Sequence, residues 1–286
     1  MDEAPVDDEP SIIFEIPPEI DERQIREALG RTGSGDFERM NEVTGTDALG
    51  WYFPFHCQMA QHGIYLSAKG ILELAAHCFN RKYSEDQTED LRRKLQYAAH
   101  AILRHEAFHF AAECMAANWE LATGAACYIR ARTQLRGSAG YIEQEEALAN
   151  AYMLRGFRWV SSVTEGARAT QSLKLYVKGQ PSGYNRGPDY VPAHRYELGC
   201  KELAFDYHRQ MVVQWFAPRG TFDSALLYPN ANRIDWRRCP ILLLDEGGLL
   251  TELGIVTRFI GTVAGIAESS SFAKQLARLG SGYSDK

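Results

Sequence analysis

Residues 91–117 read LRRKLQYAAHAILRHEAFHFAAECMAA, and this stretch decides the fold class and the candidate site. It is rich in Ala and Leu and contains no Gly or Pro, which predicts a buried helix. His105 and His109 are four residues apart and therefore share one helical face, so both imidazoles can reach one metal ion. Glu106 lies about a third of a turn away, beside the open side of such an ion. The stretch predicts a metal site on a buried helix.

A third ligand is expected from a second helix, predicted over about residues 141–159 from its apolar spacing after two glycines. That helix carries three candidate carboxylates, Glu143, Glu145 and Glu146. We choose Glu146, because Asn150 then lies one turn later on the same face, where it can hydrogen-bond a ligand imidazole. Glu143 is the alternative.

The combination of HExxH at His105 to His109 with Glu-x-x-Ala-Asn at Glu146 to Asn150 resembles the gluzincin metallopeptidases. It is especially similar to the ImmA/IrrE-like bacterial metallopeptidases, over about residues 84–159. The resemblance implies a zincin-like domain in which His105, His109 and Glu146 bind Zn²⁺. It also implies hydrolysis of a peptide or amide bond.

The same residues imply a mechanism. Zinc with three protein ligands keeps a fourth position for water and lowers the pKa of that water to about 7. Glu106 is expected to act as the general base. A further group must stabilise the negative charge that develops opposite the metal. His194 is the first candidate and His208 the second, while Tyr190 and Arg195 remain alternatives.

Composition sets the outer limits. The chain has 286 residues, 45% of them hydrophobic and 24% charged, which is typical of a globular protein. Residues 1–22 hold nine acidic residues and no Lys or Arg, and the rest of the chain has 28 acidic against 31 basic residues. Residues 1–35 are therefore predicted to be an acidic, disordered tail and linker, with a short helix over residues 18–30. The nearly neutral remainder argues against nucleic-acid binding as the main role.

The six cysteines form no CxxC pair, which predicts reduced thiols and a cytoplasmic protein. Cys239 is interpreted as structural, with a switch ligand at the metal as the alternative. The N-terminus lacks the pattern of a signal peptide, and no uncharged apolar stretch is long enough to cross a membrane.

The predicted fold class is α+β, mainly helical, with a small β-hairpin formed by residues 51–56 and 63–67. Residues 36–225 are predicted to be the zincin-like domain, and residues 226–286 a small α+β unit packed on it. The 63–67 strand is the candidate edge for pairing with an extended substrate, with a merely structural hairpin as the equal alternative. His56, on the hairpin, is expected at the surface.

Two functions follow from these patterns. The first is a zinc metallopeptidase that acts on a specific cytosolic protein or peptide, with a possible regulatory protein partner. The second is a catalytically silent, metallopeptidase-like scaffold that acts as a binding or regulatory protein.

Overall fold

The structure is a computed structural model that describes residues 11–31, 49–57, 61–124, 126, 128–159, 163–212, 239–260 and 264–267. It is mixed α+β and mainly helical, which confirms the predicted fold class at that level. The α-helices are α1 (Glu22–Arg31), α2 (Ala68–His77), α3 (Gln87–Thr123), α4 (Tyr128–Arg136), α5 (Ala139–Arg155), α6 (Val163–Lys178), α7 (Ala193–Val212) and α8 (Leu249–Glu252). The strands are β1 (Ser11–Glu15), β2 (Gly50–Phe53), β3 (Gly63–Ser67), β4 (Ile241–Leu244), β5 (Val256–Ile260) and β6 (Ala264–Ala267). Three short 3₁₀ segments span Gly156–Trp159, Tyr184–Tyr190 and Glu246–Gly248.

Helix α3 is the long helix predicted from residues 91–117. Its N-cap is Asp86, whose side chain accepts a hydrogen bond of 2.8 Å from the Glu89 amide. The helix ends at Gly124, whose φ of 69° is in the left-handed region that glycine adopts without strain. Helix α3 contacts α2, α5, β1, β2 and β3.

Four strands form one sheet in the order β2-β3-β4-β6. Strand β2 is antiparallel to β3, as expected for the predicted hairpin, whereas β3, β4 and β6 are parallel. All five residues of β3 are buried, and β3 has a hydrogen-bonded neighbour on each side. The prediction that residues 63–67 form the substrate edge is therefore wrong, and β2 is the edge strand beside β3 among the described strands.

Residues 11–31 are part of the fold. Strand β1 pairs antiparallel with β5, and Ile12 and Phe14 are 6% and 0% exposed. In α1, the buried face includes Ile25, and Glu22 forms an ion pair with Lys94 of α3. Helix α1 confirms the short helix predicted over residues 18–30, whereas strand β1 shows that the prediction of disorder is wrong for residues 11–15. Residues 1–10 and 32–35 lie outside the described part.

The C-terminal strands complete both sheets. Strand β4 lies between β3 and β6, and β5 pairs with β1. This differs from the predicted small unit over residues 226–286, because β4 and β5 hydrogen-bond to N-terminal strands. None of the helices in the described ranges has the length and apolar character needed to cross a membrane.

Candidate metal centre

Two histidines of α3 and one glutamate of α5 meet in the interior. The Oε2 atom of Glu146 lies 3.3 Å from His105 Nε2 and 3.6 Å from His109 Nε2. The three ligand atoms are all within 4.8 Å of one another. His105, His109 and Glu146 are only 0%, 7% and 8% exposed. The structure therefore brings together the three residues that the sequence predicts as ligands, and this group can hold a metal ion.

Helical geometry explains the convergence. His105 and His109 lie one turn apart on the same face of α3, and α5 packs against α3. After Glu146, the next three residues of α5, Ala147, Leu148 and Ala149, are fully buried. The apolar packing of α5 thus holds Glu146 against the histidine pair.

The other ring nitrogen of each histidine is bound by a second residue of α5. His105 Nδ1 lies 2.9 Å from Asn150 Oδ1, which confirms the expected contact between Asn150 and a ligand imidazole. His109 Nδ1 lies 2.9 Å from Glu145 Oε1. Both oxygens accept, so both rings carry their proton on Nδ1 and direct Nε2 towards Glu146.

The sequence identifies Glu145 only as a candidate metal ligand and does not predict its contact with His109. The residue is 6% exposed, and its Oε1 lies 4.0 Å from an Arg132 guanidinium nitrogen. Burial raises the pKa of Tyr141, and the negative charge of Glu145 raises it further. The sequence signal for this contact was the adjacent pair Glu145 and Glu146. Consecutive side chains on a helix point about 100° apart, so the two carboxylates can contact different groups.

The electrostatics favour ion pairs inside the cluster. Burial favours the neutral His109 ring, but Glu146 and Glu145 outweigh burial and raise the pKa of His109 well above its usual value. Burial would raise the pKa of Glu146, yet the positive charges of His109 and His105 outweigh burial and lower it. The carboxylates are thus held ionised beside imidazoles, and a bound cation would take the place of protons.

The donor set fits a divalent cation. Glu146 Oε2 is buried and has no hydrogen-bond partner within the part of the chain that the structure describes. Two imidazole nitrogens face it, with their rings oriented through Nδ1. A buried carboxylate oxygen without a hydrogen bond is costly unless another charge compensates it. A cation held between these three atoms supplies that compensation.

Glu106 lies on the same helix turn as the cluster, close to β2. It is 1% exposed, and a Cβ built on Gly50 would lie 3.7 Å from Glu106 Cγ. The same Cβ would lie 2.6 Å from Ile102 Cγ2, so only glycine lets β2 approach α3 this closely. The edge strand β2 therefore begins directly beside the predicted general base.

A polar network one turn beyond His109 fixes β2 and its following turn to α3. Glu113 is 0% exposed and accepts hydrogen bonds from the Tyr52 hydroxyl and from the Phe55 amide at 3.1 Å. Its Oε1 accepts from the His56 amide at 3.0 Å and from His56 Nδ1 at 2.8 Å. His56 Nε2 lies 2.9 Å from Glu120 Oε2.

The expected surface position of His56 is wrong, because its side chain is only 16% exposed. Its ring stacks on Tyr128 with centroids 4.2 Å apart. Burial would lower the pKa of His56, but the hydrogen bonds to Glu113 and Glu120 outweigh it and raise the pKa. The sequence signal for a buried His56 was the presence of Glu113 and Glu120 on a mostly apolar helix, where carboxylates need a hydrogen-bonding partner.

The remaining candidate residues belong to α7, to α5 and to the 3₁₀ segment Tyr184–Tyr190. His194, predicted in a loop, is an exposed residue in the first turn of α7, and Arg195 beside it is also exposed. The Tyr190 hydroxyl contacts Arg186 at 3.1 Å. Glu143 is half-buried and accepts a hydrogen bond from Ser182 Oγ at 3.1 Å. His208 belongs to α7, but its side chain lies outside the described part.

Cys239 lies directly before β4 and is 0% exposed. Burial raises the pKa of its thiol. It is not a member of the ligand group found among the described residues, which agrees with the structural interpretation of this cysteine.

No family model, curated protein or solved structure matches the chain. Function is therefore inferred from the geometry of the cluster.

Proposed function

We propose that this protein is a zinc-dependent metallopeptidase that hydrolyses a peptide or amide bond in a specific cytosolic protein substrate. The observation that carries the proposal is the arrangement of Glu146 Oε2 opposite two Nε2 atoms whose rings are bound through Nδ1. Two imidazoles and one carboxylate are the donor set of catalytic zinc sites that keep an open position. The resemblance to gluzincins supports the same choice of metal.

His105, His109 and Glu146 would hold the zinc ion. When bound, zinc supplies a Lewis acid that lowers the pKa of a water molecule to about 7 and polarises the scissile carbonyl. Glu106 would take a proton from the attacking water and deliver it to the leaving amine.

The edge strand β2 is our candidate for substrate binding. An extended peptide adds to a sheet edge through backbone hydrogen bonds, which hold it largely independently of its side chains. Gly50 places the start of β2 beside Glu106, so a segment paired with β2 would pass close to the general base. The anchoring of Tyr52 and His56 on Glu113 would keep this edge in a fixed position.

One observation favours the second candidate, a catalytically silent scaffold that binds or regulates a partner. His105 and Glu106 are 0% and 1% exposed, which is low for groups that must meet a substrate. In that case the metal would stabilise the fold, and Glu106 would serve only to pack the helix.

The decisive experiment compares zinc content and hydrolysis in three variants. Glu106→Gln should keep stoichiometric zinc and lose hydrolysis of a protein substrate, which it should then trap. Glu146→Gln should lose zinc and hydrolysis together. Glu143→Gln, which changes a residue of the same helix that hydrogen-bonds Ser182, is the matched control and should retain both.

If Glu106→Gln retains zinc and hydrolyses substrate at the wild-type rate, the proposed mechanism is wrong. If the wild-type protein binds zinc but cleaves no protein that the Glu106→Gln variant captures, the scaffold function replaces the peptidase.

A further inference from the structure

The two histidines differ in how their outer nitrogens are bound. His109 faces the carboxylate of Glu145, whose two oxygens are both acceptors when ionised, so either orientation receives the Nδ1 proton. His105 faces the side-chain amide of Asn150, which presents an acceptor in one orientation and a donor in the other. The tautomer of His105 therefore depends on which way the Asn150 amide points.

The segment after α6 determines that orientation. Asn150 Nδ2 lies 3.0 Å from the backbone carbonyl oxygen of Tyr184, a group that only accepts hydrogen bonds. It also lies 2.7 Å from Gln180 Oε1. Because the Tyr184 carbonyl can only accept, Nδ2 faces it and Oδ1 faces His105, and Gln180 Oε1 adds a second acceptor for Nδ2. Asn150 is 0% exposed and Gln180 is 4% exposed, so water has little access to replace these bonds.

Close packing brings this segment to α5. A Cβ built on Gly187 would lie 2.6 Å from Asn150 Cβ, and one built on Gly183 would lie 2.6 Å from Glu143 Cα. Gly183 also has a φ of 91°, which disfavours other residues. The glycines thus allow the 3₁₀ segment Tyr184–Tyr190 to pack directly on α5 and hold its carbonyl beside Asn150.

We propose that Gln180 is a positioning residue for the metal centre: with the Tyr184 carbonyl it orients Asn150, so that His105 keeps its proton on Nδ1 and presents Nε2 to the metal. This inference rests on the proposed zinc site. Gln180 acts through Asn150, to which it is hydrogen-bonded. A neutral amide needs such support, whereas Glu145 does not.

The test uses two variants of Gln180 and one control in the same segment. Gln180→Met keeps a similar side-chain volume and removes the acceptor, whereas Gln180→Glu keeps an acceptor oxygen. Ser182→Ala is the control, because Ser182 bonds Glu143 and not Asn150. Zinc affinity is measured by competition with a chelator. The His105 Nδ1–H resonance is measured by ¹⁵N-edited NMR in the zinc-free and zinc-loaded protein.

We expect zinc affinity to fall about tenfold in Gln180→Met, the lower end of the usual effect of losing an outer hydrogen-bond partner. The Nδ1–H resonance should shift or exchange faster in this variant, and Gln180→Glu and Ser182→Ala should resemble the wild type. An unchanged Nδ1–H resonance in Gln180→Met overturns the proposal, whatever the affinity. A wild-type protein whose neutral His105 carries its proton on Nε2 overturns it without any variant.

Failure of the metal site itself gives a different result. If the wild-type protein binds no zinc, the proposed function fails, and the zinc-free resonance at alkaline pH still decides the role of Gln180. If Gln180→Met does not fold, the wild-type tautomer and the Gln180→Glu resonance decide it.

Discussion

Replacing Glu113 with Gln tests whether the network beside the metal centre holds β2 in place. The carboxylate is fully buried and accepts four hydrogen bonds, two at each oxygen, from Tyr52, Phe55 and His56. Gln has nearly the same volume but one acceptor oxygen and no charge. The amide nitrogen must therefore face two of the four donors.

The size of the effect follows from the bonds that are lost. If the amide oxygen stays with the two His56 donors, the Tyr52 hydroxyl can rotate and accept from the new amide. The Phe55 amide cannot, and an unsatisfied buried N–H costs about 1–3 kcal/mol. The His56 ring also loses its full negative partner, and a hydrogen bond to a charged group contributes about 1.5–3 kcal/mol. Allowing for partial relaxation, we expect the free energy of unfolding to fall by about 2–4 kcal/mol.

The assay is urea unfolding of the zinc-free protein, followed by tryptophan fluorescence, so that metal binding does not contribute. The matched control is Glu85→Gln, since the Glu85 side chain is 94% exposed and should change stability by less than about 0.5 kcal/mol. A loss below about 1 kcal/mol for Glu113→Gln would refute the view that this carboxylate anchors the strand.

Three further predictions concern histidines and their partners. The folded-state pKa of His56 is raised above the unfolded value of about 6.5, so its charged form stabilises the fold fully below that pH and less as pH rises through the raised pKa. The difference in unfolding free energy between wild type and His56→Gln should therefore shrink from pH 5 to pH 9, and a constant difference would contradict this reasoning. Glu145→Gln should weaken zinc binding about 10–100-fold in chelator competition, because the His109 ring loses its charged acceptor; unchanged affinity would argue against that role. If His194 stabilises the developing charge as predicted, His194→Ala should lower kcat by about 10²-fold with zinc content unchanged, whereas an unchanged kcat removes it from the mechanism.

The site was predictable because its geometry is local. Histidines four residues apart share a helical face wherever the helix lies, and Asn150 follows Glu146 by one turn. Each fact requires only that the two segments are helical. The partner of His109 was missed because the sequence does not specify how α5 is rotated against α3, which decides whether Glu145 faces the site or solvent.

The sheet was less predictable because its pairings are distant in sequence. Ile64 of β3 pairs with Ile241 of β4, and no local pattern identifies that partner. The hairpin with β2 was visible because its strands are close along the chain. Strand β3 has a second hydrogen-bonded neighbour only because the distant strand β4 pairs with it.

The N-terminal strand was missed for a different reason. Its acidic surroundings suggested a tail, yet Ile12 and Phe14 alternate with partly or fully exposed residues, a pattern typical of a half-buried strand. Net charge over a long segment concealed a five-residue pattern. Short strands are better judged residue by residue than by average composition.

The most direct test of the central claim is the zinc K-edge X-ray absorption spectrum of the purified full chain, with the metal content determined on the same sample. The account predicts one zinc ion per chain with two imidazole nitrogens and a carboxylate oxygen at about 2.0–2.2 Å. Absence of zinc after reconstitution, or a spectrum with fewer than two imidazoles, would contradict it.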